Sequence, residues 1–210
     1  MEEKTNVYFA VMKGKFKDAV AETQVLLDQG IDPQRIIDES LIPAMADVGA
    51  LFEAGKAFVP EMLLAAKSMK MSLERIKPYL NPDQDACLGR VVIGTVKGDL
   101  HDIGKNLVAS MMEGAGFEVI NVGIDVPEEK FVQAVMEHKA DILCLSALLT
   151  TTMTQMETVI KACEAAGIRN NIKIMVGGAP VTESFARQIG ADIYTDNANA
   201  AAEAAKKIIK

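Results

Sequence analysis

From Leu88 onward the sequence alternates short β-branched runs with stretches whose apolar residues recur at helical spacing, and this alternation restricts the fold more than any other feature. The runs Arg90–Val96, Glu118–Val122, Ile142–Ser146, Lys173–Val176 and Ile193–Thr195 read as strands. Helical patterns separate them at Ile103–Glu113, Pro127–Glu137, Thr152–Ala166 and Glu183–Ile189, and a last helix runs from about Ala198 to Ile209. Repeated βα units predict a parallel sheet with helices on both faces.

The expected strand order is 2-1-3-4-5, the flavodoxin/Rossmann-like doubly wound arrangement. Its topological switch point lies beyond the carboxyl ends of strands 1 and 3, where open α/β sheets bind ligands. The loop after strand 1 sits within IGTVKGDLHDIGK and presents Asp99, His101 and Asp102, with one of only two histidines in the chain. A neutral imidazole there can ligate a metal, and Asp99 can accept the proton of its other ring nitrogen, fixing tautomer and basicity. Gly98 and Gly104 leave room for a bulky group. The same residues also suit an ordinary loop histidine beside a helix-capping Asp102, and the loop alone does not choose between the two.

Two further loops meet this one in the expected order. After strand 3 comes Ser146-Ala147-Leu148-Leu149-Thr150-Thr151-Thr152, a hydroxyl-rich run that also suits helix capping. After strand 4 comes Gly177-Gly178, which suits a tight turn or a flat group against the backbone. No GxGxxG or P-loop follows strand 1, and Ser146 stands where a phosphoacceptor aspartate would be needed. His138 reads as a solvated helix end, and Cys144 and Cys163 as buried thiols.

Before the sheet, residues 1–85 contain no convincing strand and read as an antiparallel helical bundle; residues 86–210 form the α/β domain, with Asn81–Gly89 as the link. Helices are expected over Phe16–Gln29, from Asp32-Pro33 to a kink or break at Pro43, from there to about Gly55, and from Pro60 to Pro78. Methionines such as Met45, Met62 and Met69 fall on core faces. Phe52, Phe58 and Val59 gather about the corner at Gly55, either closing the bundle's own core or forming an apolar lid. A net charge of −7 without a basic stripe argues against nucleic acid, no apolar run approaches a membrane span of ~20 residues, and the acidic N-terminus lacks a signal pattern. The expectation is a cytoplasmic protein.

Asp99-Leu100-His101-Asp102-Ile103-Gly104 matches the DxHxxG motif of proteins that bind cobalamin base-off with histidine on cobalt; Ser146-Ala147-Leu148 matches the companion SxL motif and Gly177-Gly178 the companion glycine pair. Val48–Lys70 resembles the helical cap that precedes this module in methionine synthase. The whole chain is most similar to the free-standing corrinoid proteins of methylotrophic methyltransferase systems, which use methanol, methylamines or glycine betaine. The resemblance implies a methyl carrier rather than a complete catalyst, binding cobalamin or a related corrinoid that cycles between methylcob(III)amide and cob(I)amide. It implies that His101 is the lower cobalt ligand, that Asp99 bonds the far side of its ring, and that Thr152 completes the relay where methionine synthase has a serine. By the same resemblance Asp102, Ile103 and Gly104 belong to the cofactor-binding loop. Ser146, Leu148 and Thr150 would line the tunnel for the nucleotide tail, whose deeper end meets Gly177 and Gly178. Phe52 and Val59 would cap the methyl face, where the family has phenylalanine and leucine. The implied partners are a substrate:corrinoid methyltransferase, an acceptor methyltransferase for tetrahydrofolate or a thiol, and a reductive activator. Rival readings are a cobalamin-dependent sensor or regulator, the cobalamin subunit of an adenosylcobalamin mutase, and a divalent-metal site built from Asp99, His101 and Asp102.

Overall fold

The computed structural model describes residues 4–80 and 87–209. The chain divides into two compact units, Met1–Cys87 with Glu113–Gly116, and Leu88–Met112 with Phe117–Lys210. Residues 81–86 of the expected link lie outside the described residues.

The first unit is helical. Helix α1 (Asn6–Met12), absent from the sequence expectation, is capped by the Thr5 hydroxyl, which accepts the Tyr8 N–H at 3.1 Å. Helix α2 (Phe16–Asp28) ends at Gly30, whose positive φ of 75° reverses the chain. Asp32 caps α3 (Pro33–Ile36) through the Gln34 N–H at 3.2 Å, with Pro33 where its missing N–H costs nothing. Of the kink or break expected at Pro43, no break occurs. A π-turn (Ile37–Leu41) widens the helix, the Ile42 N–H reaches back to the Ile37 carbonyl, and α4 (Ile42–Glu53) continues with Pro43 in its first turn. Helix α5 (Val59–Ile76) starts one residue earlier than expected, with Glu61 accepting the Phe58 N–H at 2.9 Å, and a 3₁₀ turn (Lys77–Tyr79) follows. Val7, Val11, Ile36, Leu41, Met45, Met62, Met69 and Ile76 form the buried core, so these methionines pack rather than bind.

The second unit is a five-stranded, all-parallel sheet in the order β2-β1-β3-β4-β5, as expected. Its elements are β1 (Arg90–Val96), α6 (Ile103–Gly114), β2 (Glu118–Val126), α7 (Glu128–His138), β3 (Ile142–Ser146), α8 (Thr154–Ala165), β4 (Lys173–Gly177), α9 (Glu183–Gln188), β5 (Ile193–Tyr194) and α10 (Ala198–Ile209). Val92, Leu143, Leu145, Ile174 and Val176 pack with Phe131, Met156 and Ile160 from the helices. Strand residues of the opposite parity, Val91, Ile93, Cys144 and Met175, are equally buried, so both faces are covered. At Gly94 a Cβ would come within 2.6 Å of the Phe131 ring, which explains a glycine in mid-strand.

Three boundaries differ in ways that matter for the site. Strand β2 runs four residues beyond the expected Val122, and along that stretch two register shifts against β1 each insert an extra residue. Helix α8 starts at Thr154 rather than Thr152, because Thr152 is held in the preceding turn. Strand β5 stops at Tyr194, short of Thr195. Among the described residues no helix is long and apolar enough to cross a membrane.

Candidate functional site

Strand β1 delivers its last buried residue, Val96, to a turn in which Gly98 adopts a φ of 80° and the Asp99 N–H donates to the Val96 carbonyl at 3.1 Å. The turn directs Asp99 inward, where it has no exposed surface. A lone buried carboxylate is costly unless every lone pair finds a donor. Here Oδ2 accepts the Leu148 N–H at 2.7 Å, the Leu149 N–H at 3.2 Å and the Thr152 hydroxyl at 2.7 Å. Oδ1 accepts the His101 N–H at 3.1 Å and lies 2.7 Å from His101 Nδ1. Burial on its own would raise the pKa of Asp99, but the bonds from Leu148, Thr152 and His101 outweigh it and hold the carboxyl well below the usual carboxylate range. The group is an anion at neutral pH.

That anion fixes the imidazole. With Oδ1 as acceptor, the proton of neutral His101 sits on Nδ1 and the lone pair on Nε2. The side chain is 49% exposed, and among the described residues Nε2 has no protein partner. The Thr95 hydroxyl donates to the His101 carbonyl at 2.8 Å and pins the loop from below. Thr152 is buried, and its hydroxyl also lies 2.9 Å from the Leu149 carbonyl; its single proton favours the charged acceptor.

The loops after β1 and β3 are thus brought together at the switch point, with Asp99, His101, Leu148 and Thr152 in direct contact. Asp102 is exposed, and its carboxylate accepts from the Asn106 amide at 3.1 Å. Ile103 is 84% exposed, and a Cβ on Gly104 would meet nothing within 4 Å. Ser146 ends β3 opposite Thr95 and Gly177, while Thr150 is exposed in the following turn. Gly178 is required by the chain itself: at its φ of 135° a Cβ would lie 1.9 Å from the Ala147 carbonyl oxygen. In the helical unit, Phe52 is half-buried, Val59 is 37% exposed and Phe58 64% exposed.

Several participants escaped the sequence reading. Leu100 and Leu149 are large exposed apolar residues on the same two loops. Asp125 accepts the Gly98 N–H at 2.7 Å and donates its own N–H to the Asp99 carbonyl at 3.0 Å. The divalent-metal reading fails: among the described residues no three His, Cys, Asp or Glu side chains gather to hold an ion, because Asp99 is consumed by its own donors. Cys144 and Cys163 are buried free thiols, with burial pushing the thiol of Cys144 up to about 12 and that of Cys163 to about 11.

Two family models, both described as a B12 binding domain, match residues 89–205 and 5–77. A dimethylamine corrinoid protein of Methanosarcina acetivorans is 44% identical, over 92% of this chain and 91% of the relative. A trimethylamine corrinoid protein of the same organism is 43% identical, over 88% of this chain and 90% of the relative. The methanol:cobalamin methyltransferase complex of Methanosarcina barkeri contains a similar chain, with a TM-score of 0.87 and 32% identity, covering 97% of this chain and 78% of that one.

Proposed function

The chain belongs to the B12-binding family of corrinoid proteins, and from that premise we propose that it carries a methyl group on a corrinoid, between a substrate-specific methyltransferase and a methyl-acceptor methyltransferase. The observation that carries this reading is His101: a half-exposed ring whose Nδ1 is tied to a buried, ionised Asp99 while Nε2 keeps its lone pair. The surroundings fit a broad, flat cofactor. Leu100, Ile103, Leu148 and Leu149 offer exposed apolar surface, and Gly104 leaves open space beside them. When bound, the corrinoid supplies the cobalt to which the methyl group is attached and from which it is removed.

In this reading His101 Nε2 would hold the cobalt of the corrinoid. Asp99 fixes the tautomer that leaves the lone pair on Nε2 and strengthens it as a donor, and Thr152 stabilises the ionised carboxylate. Asp102, Ile103 and Gly104 complete the ligand loop. Ser146, Leu148 and Thr150 would flank the nucleotide tail, and Gly177 and Gly178 would take its deeper end. Phe52 and Val59 would supply the apolar cover that keeps water from the methyl group. Tetrahydrofolate or a thiol would be the acceptor's substrate, a reductive activator would be the third partner, and the cytoplasm would be the site of action. The relatives' names make methylated amines the first donors to test, and favour neither the regulator nor the mutase reading.

The test is reconstitution with methylcobalamin followed by visible spectroscopy of the desalted wild type and of His101→Ala. A stoichiometric red wild type whose spectrum is altered by the substitution supports the reading. A wild type that retains no corrinoid removes the carrier function, and identical spectra remove His101 as ligand.

A further inference from the structure

The loop that presents His101 is also held from the side of β2, and Lys105 stands at the centre of that hold. Lys105 is only 3% exposed, yet among the described residues its ammonium makes no ion pair. It donates instead to two amide oxygens, Oδ1 of Asn106 at 2.6 Å and Oδ1 of Asn121 at 2.8 Å. Burial lowers its pKa, and the charge of Asp102 acts the other way. A buried cation on two neutral acceptors is an expensive arrangement, which the fold does not need merely to fill space.

Each of those oxygens has a second donor. Asn106 Oδ1 also accepts from Asn121 Nδ2 at 3.1 Å, and Asn121 Oδ1 also accepts the backbone N–H of Gly123 at 3.1 Å. The second contact sits where β2 leaves register: Ile93 faces Asn121 but Gly94 faces Gly123, so Val122 is an extra residue. The Asn121 side chain accepts from the backbone N–H just past the bulge. A further shift follows before Val96 meets Val126, and within it Asp125 takes a φ of 51°. That conformation sets the Asp125 carboxylate on the Gly98 N–H and its N–H on the Asp99 carbonyl. On the other side, the Asn106 amide donates to the Asp102 carboxylate, one residue beyond the histidine.

We infer that Lys105 is a positioning residue for His101: by fastening Asn106 and Asn121 at the β2 bulge, it holds Asp102 and Asp125 against the loop that presents the imidazole. The choice of lysine follows from the geometry. Two oxygens converge on one point, and a single nitrogen with three hydrogens serves both. Methionine leaves both oxygens without that donor. Glutamine, with two hydrogens on one nitrogen, restores part of it.

The inference rests on His101 being the cobalt ligand, and the experiment separates the two. Wild type, His101→Ala, Lys105→Met, Lys105→Gln and Asn121→Ala are reconstituted with methylcobalamin. The histidine-ligated fraction is read from the visible spectrum, and thermal unfolding of each apoprotein is measured alongside. Lys105→Met is expected to lower the ratio of ligated to unligated cofactor about tenfold, the scale on which partners of metal ligands act, with Asn121→Ala similar and Lys105→Gln between. If Lys105→Met does not fold, Lys105→Gln and Asn121→Ala carry the test. Lower unfolding temperatures with a wild-type ligated fraction overturn the inference and leave Lys105 a structural residue. A wild type indistinguishable from His101→Ala overturns the ligand reading and this inference together.

Discussion

The backbone N–H of Leu148 donates to Oδ2 of Asp99 across 2.7 Å, so a carboxylate borne by the loop after β1 is bound to the chain just beyond β3. Leu149 and Thr152 donate to the same oxygen, whereas Oδ1 serves His101 alone. One planar group thus ties two loops that are 49 residues apart in sequence. This explains how a fully buried carboxylate stays ionised, and it makes Asp99 the residue on which both the loop structure and the imidazole depend.

Asp99→Asn keeps the shape but replaces one acceptor oxygen by a donor, leaving an N–H of Leu148 or the His101 ring without its partner. The corrinoid affinity of the variant, read by visible titration, should fall about 10- to 100-fold. Wild-type affinity would separate the Asp99 carboxylate from cofactor binding.

Thr152→Val is close in size and loses the hydroxyl that donates to Asp99. A hydrogen bond to a buried charge is worth about 1.5–3 kcal/mol, so the urea midpoint of the apoprotein should drop accordingly. Thr152→Ser keeps the donor and should lose distinctly less.

The folded pKa of Asp99 is depressed, so its contribution to stability is complete above the unfolded value of about 3.9 and is lost as pH falls through the folded value. Stability of the wild type should therefore fall relative to Asp99→Asn as pH is lowered below about 4, with the two curves parallel at neutral pH. Urea titrations of both apoproteins across that window test this; curves parallel throughout would refute it.

Two glycines should separate folding from binding. Gly178→Ala forces a Cβ against the Ala147 carbonyl at an unfavourable φ, and should cost at least about 1–3 kcal/mol in chemical denaturation. Gly104→Ala, in the first turn of α6 with nothing nearby, should leave the apoprotein as stable or up to about 1 kcal/mol more stable. It should nonetheless weaken corrinoid retention, because the added methyl enters the open space beside His101. Equal retention would mean that the cofactor does not use that space.

The sheet order was legible because strands and helices alternate without interruption, and the His101 loop because a lone histidine between two aspartates follows an apolar strand. The second half of β2 was not. Asn121, Gly123 and Asp125 are chain-breaking residue types, and only the structure shows an amide side chain standing beside a bulge. Lys105 reads as solvent-facing from its type alone. The Leu148 and Leu149 donors are backbone groups, which carry no sequence signature. Helix α1 did leave a signal, Thr5 followed by Val7, Tyr8, Ala10 and Val11, but over only seven residues.

The division of labour within Asp99 has a consequence for how the imidazole is aimed. A carboxylate cannot bend, so turning Oδ1 swings Oδ2 off the three donors of the neighbouring loop. The azimuth of the His101 ring is therefore dictated less by its own turn than by residues 148–152. A displacement of residues 148–152 turns the ring as a lever about the carboxylate plane.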